Sequence, residues 1–495
     1  MKKIFLPTIT LLFLTSCLFI TQWTESTPEP IPFTPAPETV PPTDRTIYKN
    51  GLVLEYQDIL RELPYASMYE IKFIIADDLY HIAGNETVIY TNAEDDVELN
   101  EVKFRLFGNI LGGEMHVGEV FINDEVVIPN YSLNDSLLTV PLKEPLQPKE
   151  SITLRMDFSL TVPQSVELNY GVQAYYEDVL ALAHAYPMIA VYDDEGWNAE
   201  IPPQSGDVTY ADMSFFIVTV EAPKGVTLVG SGREISKQDN GNRQTVKYEA
   251  GPVRDFYLAA SPDYEVFTKE VNGTTLRFYT RDYLHAGAEY ALNVAARAIE
   301  DFGERYAPYP YTELEFVSTP TYALGIEYPG MIAITEWIIQ PDQNYLEGTV
   351  AHEVGHQWFY NLVGNDQLDD PWLDESLTQF ATLQYFTDEY GQNGYQGFRQ
   401  DIEGRWNNIG RAEIPIGLPV KDYDYAEYSG VVYGRGALFF EALRDEMGTE
   451  IFDAFMKDYT NSNAWDIATP EKLKSKAEEH CGCDLTKLFE IWIYP

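Results

Sequence analysis

Apolar side chains return at every second position from about residue 50 to 265, and at every third or fourth position after about 275. A strand sends alternate residues to one face and a helix sends residues three and four apart, so this change of period splits the chain into two parts of different build. In SITLRMDFSL (151–160), Ile152, Leu154, Met156, Phe158 and Leu160 fall on one face and Thr153, Arg155, Asp157 and Ser159 on the other, which predicts a half-buried strand. SFFIVTVEA (214–222) and NRQTVKYEA (242–250) read likewise, with Gly, Asn and Pro between such runs. The first part is therefore expected to be an antiparallel β domain. HAGAEYALNVAARAIEDFGERY (285–306) instead sets Ala288, Leu292, Ala295, Ile299 and Phe302 on one stripe, predicting a long helix that opens the second part. Strand-like LEFVST and MIAIT follow, and the remainder to Trp492 reads as mostly helical. A chain of 495 residues is too long for one simple core, so two domains are expected, at 48–265 and 266–495.

The first residues read as an address rather than as fold. Lys2 and Lys3 precede a mostly apolar run from Ile4 to Leu14, and LTSC (14–17) follows, with small residues ahead of the cysteine. LTSC resembles a bacterial lipobox, which implies a leader over 1–17, cleavage before Cys17 and a lipid anchor on that thiol. An uncleaved apolar anchor is the other reading, since Leu18, Phe19 and Ile20 prolong the run. Either one places the body outside the cytoplasm at the cell membrane. Seven prolines in the fifteen residues 28–42 predict an extended tether of roughly 45 Å at about 3.1 Å per residue, within a spacer expected over 18–47.

With 33 Lys+Arg against 78 Asp+Glu, the net charge of −45 would repel nucleic acid and anionic lipid, so neither is an expected partner. Such a surface attracts cations, protonated peptide amines among them, and it also keeps an exported protein soluble. Two of the three cysteines sit in HCGCD beside His480. Three ligands crowded into four residues seldom close around one ion, so Cys481 and Cys483 are expected as outward thiols or one strained disulfide, with no chemistry assigned.

The stretch VAHEVGHQWF (350–359) carries His352 and His356 four residues apart. On a helix these lie on one face within about 6 Å and can present both imidazoles to one ion, while Glu353, about 100° away, flanks the ion instead of ligating it. A catalytic zinc wants three protein ligands and one open position. Glu375 in WLDESLTQF (372–380) follows His356 after a gap of eighteen residues, at the start of the next expected helix and beyond the breakers GNDQLDDP. The residues alone also allow a solvated helix face with two idle histidines, and a first-turn glutamate favoured by the helix dipole.

HEVGH, an eighteen-residue gap and the glutamate of WLDE resemble the gluzincin zinc aminopeptidases, peptidase family M1, whose members include aminopeptidase N and leukotriene hydrolase. Upstream, ALGIEYPG (323–330) resembles the family's Gly-x-Met-Glu-Asn strand with Glu327 at the glutamate, although Leu324, Ile326 and Tyr328 depart from it. Downstream, VVYGRGALFF (431–440) resembles its Tyr-x-Lys-Gly-Ala helix, with Tyr433 at the tyrosine and Arg435 replacing the lysine. The likeness covers about 50–495 and is strongest from 323 to 440.

This resemblance implies a multidomain α+β fold, a saddle-like antiparallel β domain followed by a thermolysin-like, mainly helical catalytic domain. It implies one Zn²⁺ on His352, His356 and Glu375, with Glu353 as general base and Tyr433 as hydrogen-bond donor to the oxyanion. Glu327 would bind the free α-amine of a peptide substrate. The end at Pro495 implies that a further helical domain of many relatives is missing and the cleft more open. A thermolysin-type endopeptidase, an epoxide hydrolase and a non-catalytic surface protein on the same fold are the competing expectations.

Overall fold

Alternation turns the first part into sheet. A computed structural model describes residues 44–494 apart from 204, 205, 207, 342 and 343. The leader, Cys17 and the spacer up to residue 43 lie outside the described residues. Arg45–Gly51 and Leu54–Arg61 are 3₁₀ turns. Tyr48 is buried with its ring 4.9 Å from that of Phe215, and Arg45 lies over the same phenylalanine, so the last residues assigned to the spacer pack on the body.

The largest sheet has eight strands. Near its centre Ser67–Ile75 lies between His81–Thr91 and Ser214–Pro223, and His81–Thr91 pairs on its other side with Ser151–Thr161. Ile152, Leu154, Met156, Phe158 and Leu160 are buried, as their alternation predicts. One pairing departs from the expected antiparallel pattern: Ser67–Ile75 and Ser214–Pro223 run parallel, Ser67 opposite Ser214. Alternation is the same in either direction along a strand, so the sequence carries no signal for this. Two four-stranded sheets and a small hairpin complete the part.

Sheet partners change between Leu258–Ser261 and Glu265–Val271. Glu265–Val271 and Thr274–Thr280 form a hairpin that begins a five-stranded sheet, continued by Glu313–Thr319 and Met331–Thr335 and ending at the edge strand Gly325–Tyr328. Helix α1 (His285–Arg305) buries Ala288, Leu292, Ala295, Ile299 and Phe302, the predicted stripe. Helix α2 (Asn344–Gly355) packs against α1, the edge strand and helix α3 (Glu375–Asn408), which is interrupted at Gly391. The result is the two-part α+β build expected, β-rich first and mainly helical second.

Two buried clusters fix α2. Its Glu347 accepts hydrogen bonds from the hydroxyls of Tyr290 (2.6 Å), Tyr385 (2.9 Å) and Tyr390 (2.7 Å) and from Arg297 (3.2 Å), so residues of α1 and α3 set its rotation. Arg254, which follows the strand Arg243–Val253 of the β part, is buried and donates to the carbonyls of Tyr360 (2.7 Å), Asn361 (3.1 Å), Ala211 (3.0 Å) and Asp466 (2.7 Å). It thereby pins the turn after α2 to the β part.

Candidate metal centre

Three local features bring the predicted ligands together. His352 lies in the last turn of α2, and the amide of His356 still donates to the His352 carbonyl (3.2 Å), so helical spacing extends to the second imidazole. Glu375 is the first residue of α3, held there by Asp374, whose carboxylate caps the Glu375 amide at 2.8 Å. His352 Nε2 and His356 Nε2 are 3.1 Å apart, and Glu375 Oε2 is 3.1 Å from the first and 3.3 Å from the second.

Those separations fit a zinc ion. Ligand bonds of about 2.0–2.1 Å at tetrahedral angles would place donor atoms about 3.3 Å apart. His356 Nδ1 donates to the carbonyl of Phe359 (2.9 Å), which leaves its Nε2 lone pair directed at the cluster. His352 Nδ1 is buried without a partner among the described residues.

The charge balance points the same way. Glu327, Glu353, Asp374 and Glu375 are all buried around two imidazoles, and the ligand atoms of Glu327, Glu353 and His356 also lie within 4.8 Å of one another. Burial pushes Glu353 well above the ordinary carboxylate range, Glu327 and Glu375 add to this, and His356 opposes it. Burial and Glu375 likewise raise Asp374 to about 7. Glu375 behaves oppositely: burial raises it, but hydrogen bonds and charge from both imidazoles outweigh that and hold it ionised. Four carboxyls in one desolvated nest leave an excess of negative charge that a divalent cation would neutralise.

Glu353 is five per cent exposed and stands outside the His352–His356–Glu375 trio, grouped instead with Glu327 and His356. Its room comes from Gly325: a Cβ there would stand 2.5 Å from the Glu353 carboxylate. Glu327 sits two residues on in the same edge strand, buried, with its Oε1 accepting a long hydrogen bond from Gln367 Nε2 (3.5 Å). The same amide donates to Asp374 Oδ2 at 2.9 Å. Tyr328, at the position where the family's motif has asparagine, stacks on Tyr257 of the β part, 3.9 Å between centroids.

Tyr433 reaches the centre on a turn of π-helix, Ser429–Arg435. Its hydroxyl donates to Glu375 Oε1, the oxygen not facing the imidazoles. The turn is clamped to α3: Ser376 Oγ donates to the Val432 carbonyl (2.6 Å), and a Cβ on Gly436 would stand 1.9 Å from that Oγ. Arg435 points away, donating to the carbonyls of Ile414, Ile491 and Trp492, and so ties this turn to the C-terminal helix Thr486–Trp492.

The family model of the peptidase family M1 domain matches residues 290–492. That stretch holds α2 with His356 just beyond it, the start of α3 and the edge strand Gly325–Tyr328, which carry the candidate ligands and the two carboxylates beside them. Aminopeptidase M1-A of Oryza sativa subsp. japonica is 26% identical over 436 residues, 83% of this chain and 46% of its own length. Aminopeptidase M1-B of the same plant is 26% identical over 297 residues, 56% of this chain and 34% of its own. The chain thus spans between a third and a half of the length of these relatives. An M1 zinc metallopeptidase from Deinococcus radiodurans superposes with a TM-score of 0.69 at 20% identity, over 86% of this chain and 93% of that one, and so shares the fold across both parts. A mutant of that protein was solved bound to a Tyr-Ser-Ala substrate.

Within the matched stretch, the sequence patterns do not single out Gln367 and Asp374, which link the ligand helix α3 to Glu327. Both lie in or beside the polar run GNDQLDDP, read only as a helix breaker. A dense polar run between two ligand-bearing helices is the signal that could have marked them.

Proposed function

We propose that this chain is a zinc-dependent aminopeptidase of peptidase family M1 that removes N-terminal residues from peptides. The observation that carries it is the convergence of His352, His356 and Glu375 donor atoms at 3.1–3.3 Å, with two further buried carboxylates beside them. His352, His356 and Glu375 would hold the ion. When bound, zinc supplies Lewis acidity to the attacking water and the scissile carbonyl.

Glu353 then takes the water's proton and returns it to the leaving amine, a role suited to a carboxylate whose basicity is raised by burial. Glu327 binds the substrate's α-ammonium, and Gln367 and Asp374 brace it from behind. Tyr433 donates a hydrogen bond to Glu375 in the resting site and turns its O–H to the oxyanion as that forms. The Tyr-Ser-Ala complex of the Deinococcus radiodurans mutant supports a peptide as substrate.

The test compares an aminoacyl amide with its N-acetylated form, with and without chelator. Cleavage of the unblocked substrate alone, lost with chelator and restored by zinc, is expected. Equal cleavage of both would make the protein an endopeptidase and remove Glu327 from amine binding.

The same reading includes the address. A lipid on Cys17 would hold the enzyme outside the cytoplasm, and the Cys481–Cys483 disulfide supports an oxidising compartment. Cys17→Ser should release the protein from the membrane fraction, and unchanged partition would refute the anchor.

A further inference from the structure

HCGCD resolves in the structure as a disulfide between Cys481 and Cys483, with Cα atoms 5.1 Å apart. Cys481 ends the helix Pro470–Cys481, Gly482 takes the left-handed conformation that caps it (φ 60°, ψ 28°), and Cys483 is exposed. A cross-link over so few residues removes little entropy from the unfolded chain, so it adds little to the fold.

The turn is moreover closed without it. The Gly482 amide donates to the Glu478 carbonyl (2.9 Å), the Leu485 amide to the Glu478 carboxylate (2.9 Å), and Lys474 Nζ to Thr486 Oγ1 (3.0 Å). Leu473, Ala477, Leu485 and Phe489 anchor both flanking helices in the core. A bond that is accessible and that the fold does not need is open to chemistry in the native state.

We propose that Cys481–Cys483 is a thiol–disulfide exchange site of the folded protein, selective for neutral and cationic thiols over anionic ones. The selectivity comes from charge. Glu478, Glu479 and Asp484 flank the pair along the chain, and Asp458 stands against the neighbouring His480; Lys474 is engaged by Glu478 (3.0 Å), Lys476 by Asp458 (3.2 Å) and Glu479 (3.5 Å), and His480 by Asp458 (2.9 Å). Beyond them the whole chain carries −45. An anionic thiol is repelled on approach, a cationic one attracted.

In the exchange, the entering thiolate bonds to the exposed Cys483 Sγ. The S–S electron pair leaves on Cys481 Sγ, which takes a proton from solvent. Its place at a helix C-terminus favours that protonation, because the helix dipole opposes a thiolate there. A second thiolate, from another molecule of a monothiol or from the same molecule of a dithiol, then displaces Cys483. Two electrons and two protons pass to the protein, and the reductant leaves as a disulfide.

The test uses the full chain without denaturant. Cysteamine and 3-mercaptopropionate are compared at equal thiolate concentration, free thiols are alkylated, and the tryptic peptide 477–487 is weighed. Two alkyl groups on that peptide, an unchanged circular dichroism spectrum, and reduction about tenfold faster with cysteamine at low salt are expected, the ratio shrinking in 1 M salt and with Glu479→Gln. A peptide that stays unlabelled until denaturant is added, or helix lost on reduction, overturns the exchange site. Equal rates for the two thiols at low salt overturn its charge selectivity.

Discussion

Two buried histidine–carboxylate clusters in this molecule obey different accounts. In the β part, His184 Nδ1 is 2.6 Å from Asp255 Oδ2, His184 Nε2 is 2.9 Å from Thr209 Oγ1, and Asp255 Oδ1 accepts from the Tyr186 hydroxyl (2.6 Å) and the Phe256 amide (2.7 Å). Both ring nitrogens and both carboxylate oxygens are satisfied. At α2 and α3, four carboxyls share two imidazoles, His352 Nδ1 has no partner among the described residues, and two imidazole nitrogens face each other at 3.1 Å. A closed network specifies architecture, whereas an open one with surplus charge is built around something added.

That contrast breaks most visibly if Glu375 is removed. Glu375→Ala should strip zinc to substoichiometric levels by metal analysis and bring activity to background, while stoichiometric metal would require a different third ligand. Glu353→Gln separates ligand from base: zinc should stay and turnover fall by about 10²–10⁴. Near-normal turnover in that variant would end its role as proton acceptor. Tyr433→Phe should retain metal and lose about 10²–10³ in kcat, with KM less affected. If metal affinity fell instead, the hydroxyl's contact with Glu375 would be its whole purpose.

In the closed cluster the readout changes. Asp255→Asn would turn a donor towards donors already in place and should cost about 1–3 kcal/mol in urea unfolding, with the folded fraction keeping its zinc and its turnover. Loss of zinc without loss of stability would make the two clusters one system.

What the sequence shows and hides follows from the range of the forces involved. His352 and His356 are legible because one helix turn relates them, and Glu375 because a second helix start is marked in the local sequence. The five-residue stripe of α1 and the buried face of Ser151–Thr161 are legible for the same reason. The parallel pairing of Ser67 with Ser214, the Arg254 pin, and the contact of Gly325 with Glu353 join residues distant in sequence, and no local pattern encodes them. VVYGRGALFF reads as helix with no sign of its type, and the π-turn under Tyr433, clamped to Ser376, shows only in the structure.

Surplus buried charge has a second outlet besides a cation, which is a proton. Glu315, at four per cent exposure, pairs through Oε1 with Arg277, while its Oε2 has no partner among the described residues; burial pushes it to about 8, with Arg277 opposing. Glu86 is more extreme, both oxygens buried without a partner among the described residues, and burial raises it well above the usual range. A carboxyl whose folded value exceeds its unfolded 4.5 holds its proton more tightly in the native state. Its contribution is therefore greatest below about 4.5 and is lost as pH rises towards about 8. For Glu315 alone the slope is at most about 1.4 kcal/mol per pH unit in that window. Urea unfolding at pH 5 and pH 8 should show wild type losing stability relative to Glu315→Gln, which has no proton to lose, and parallel behaviour would mean that Arg277 keeps Glu315 ionised throughout. The metal nest should respond differently, since there the neutralising charge is an ion held by ligands and chelation, not alkali, is what unbalances it.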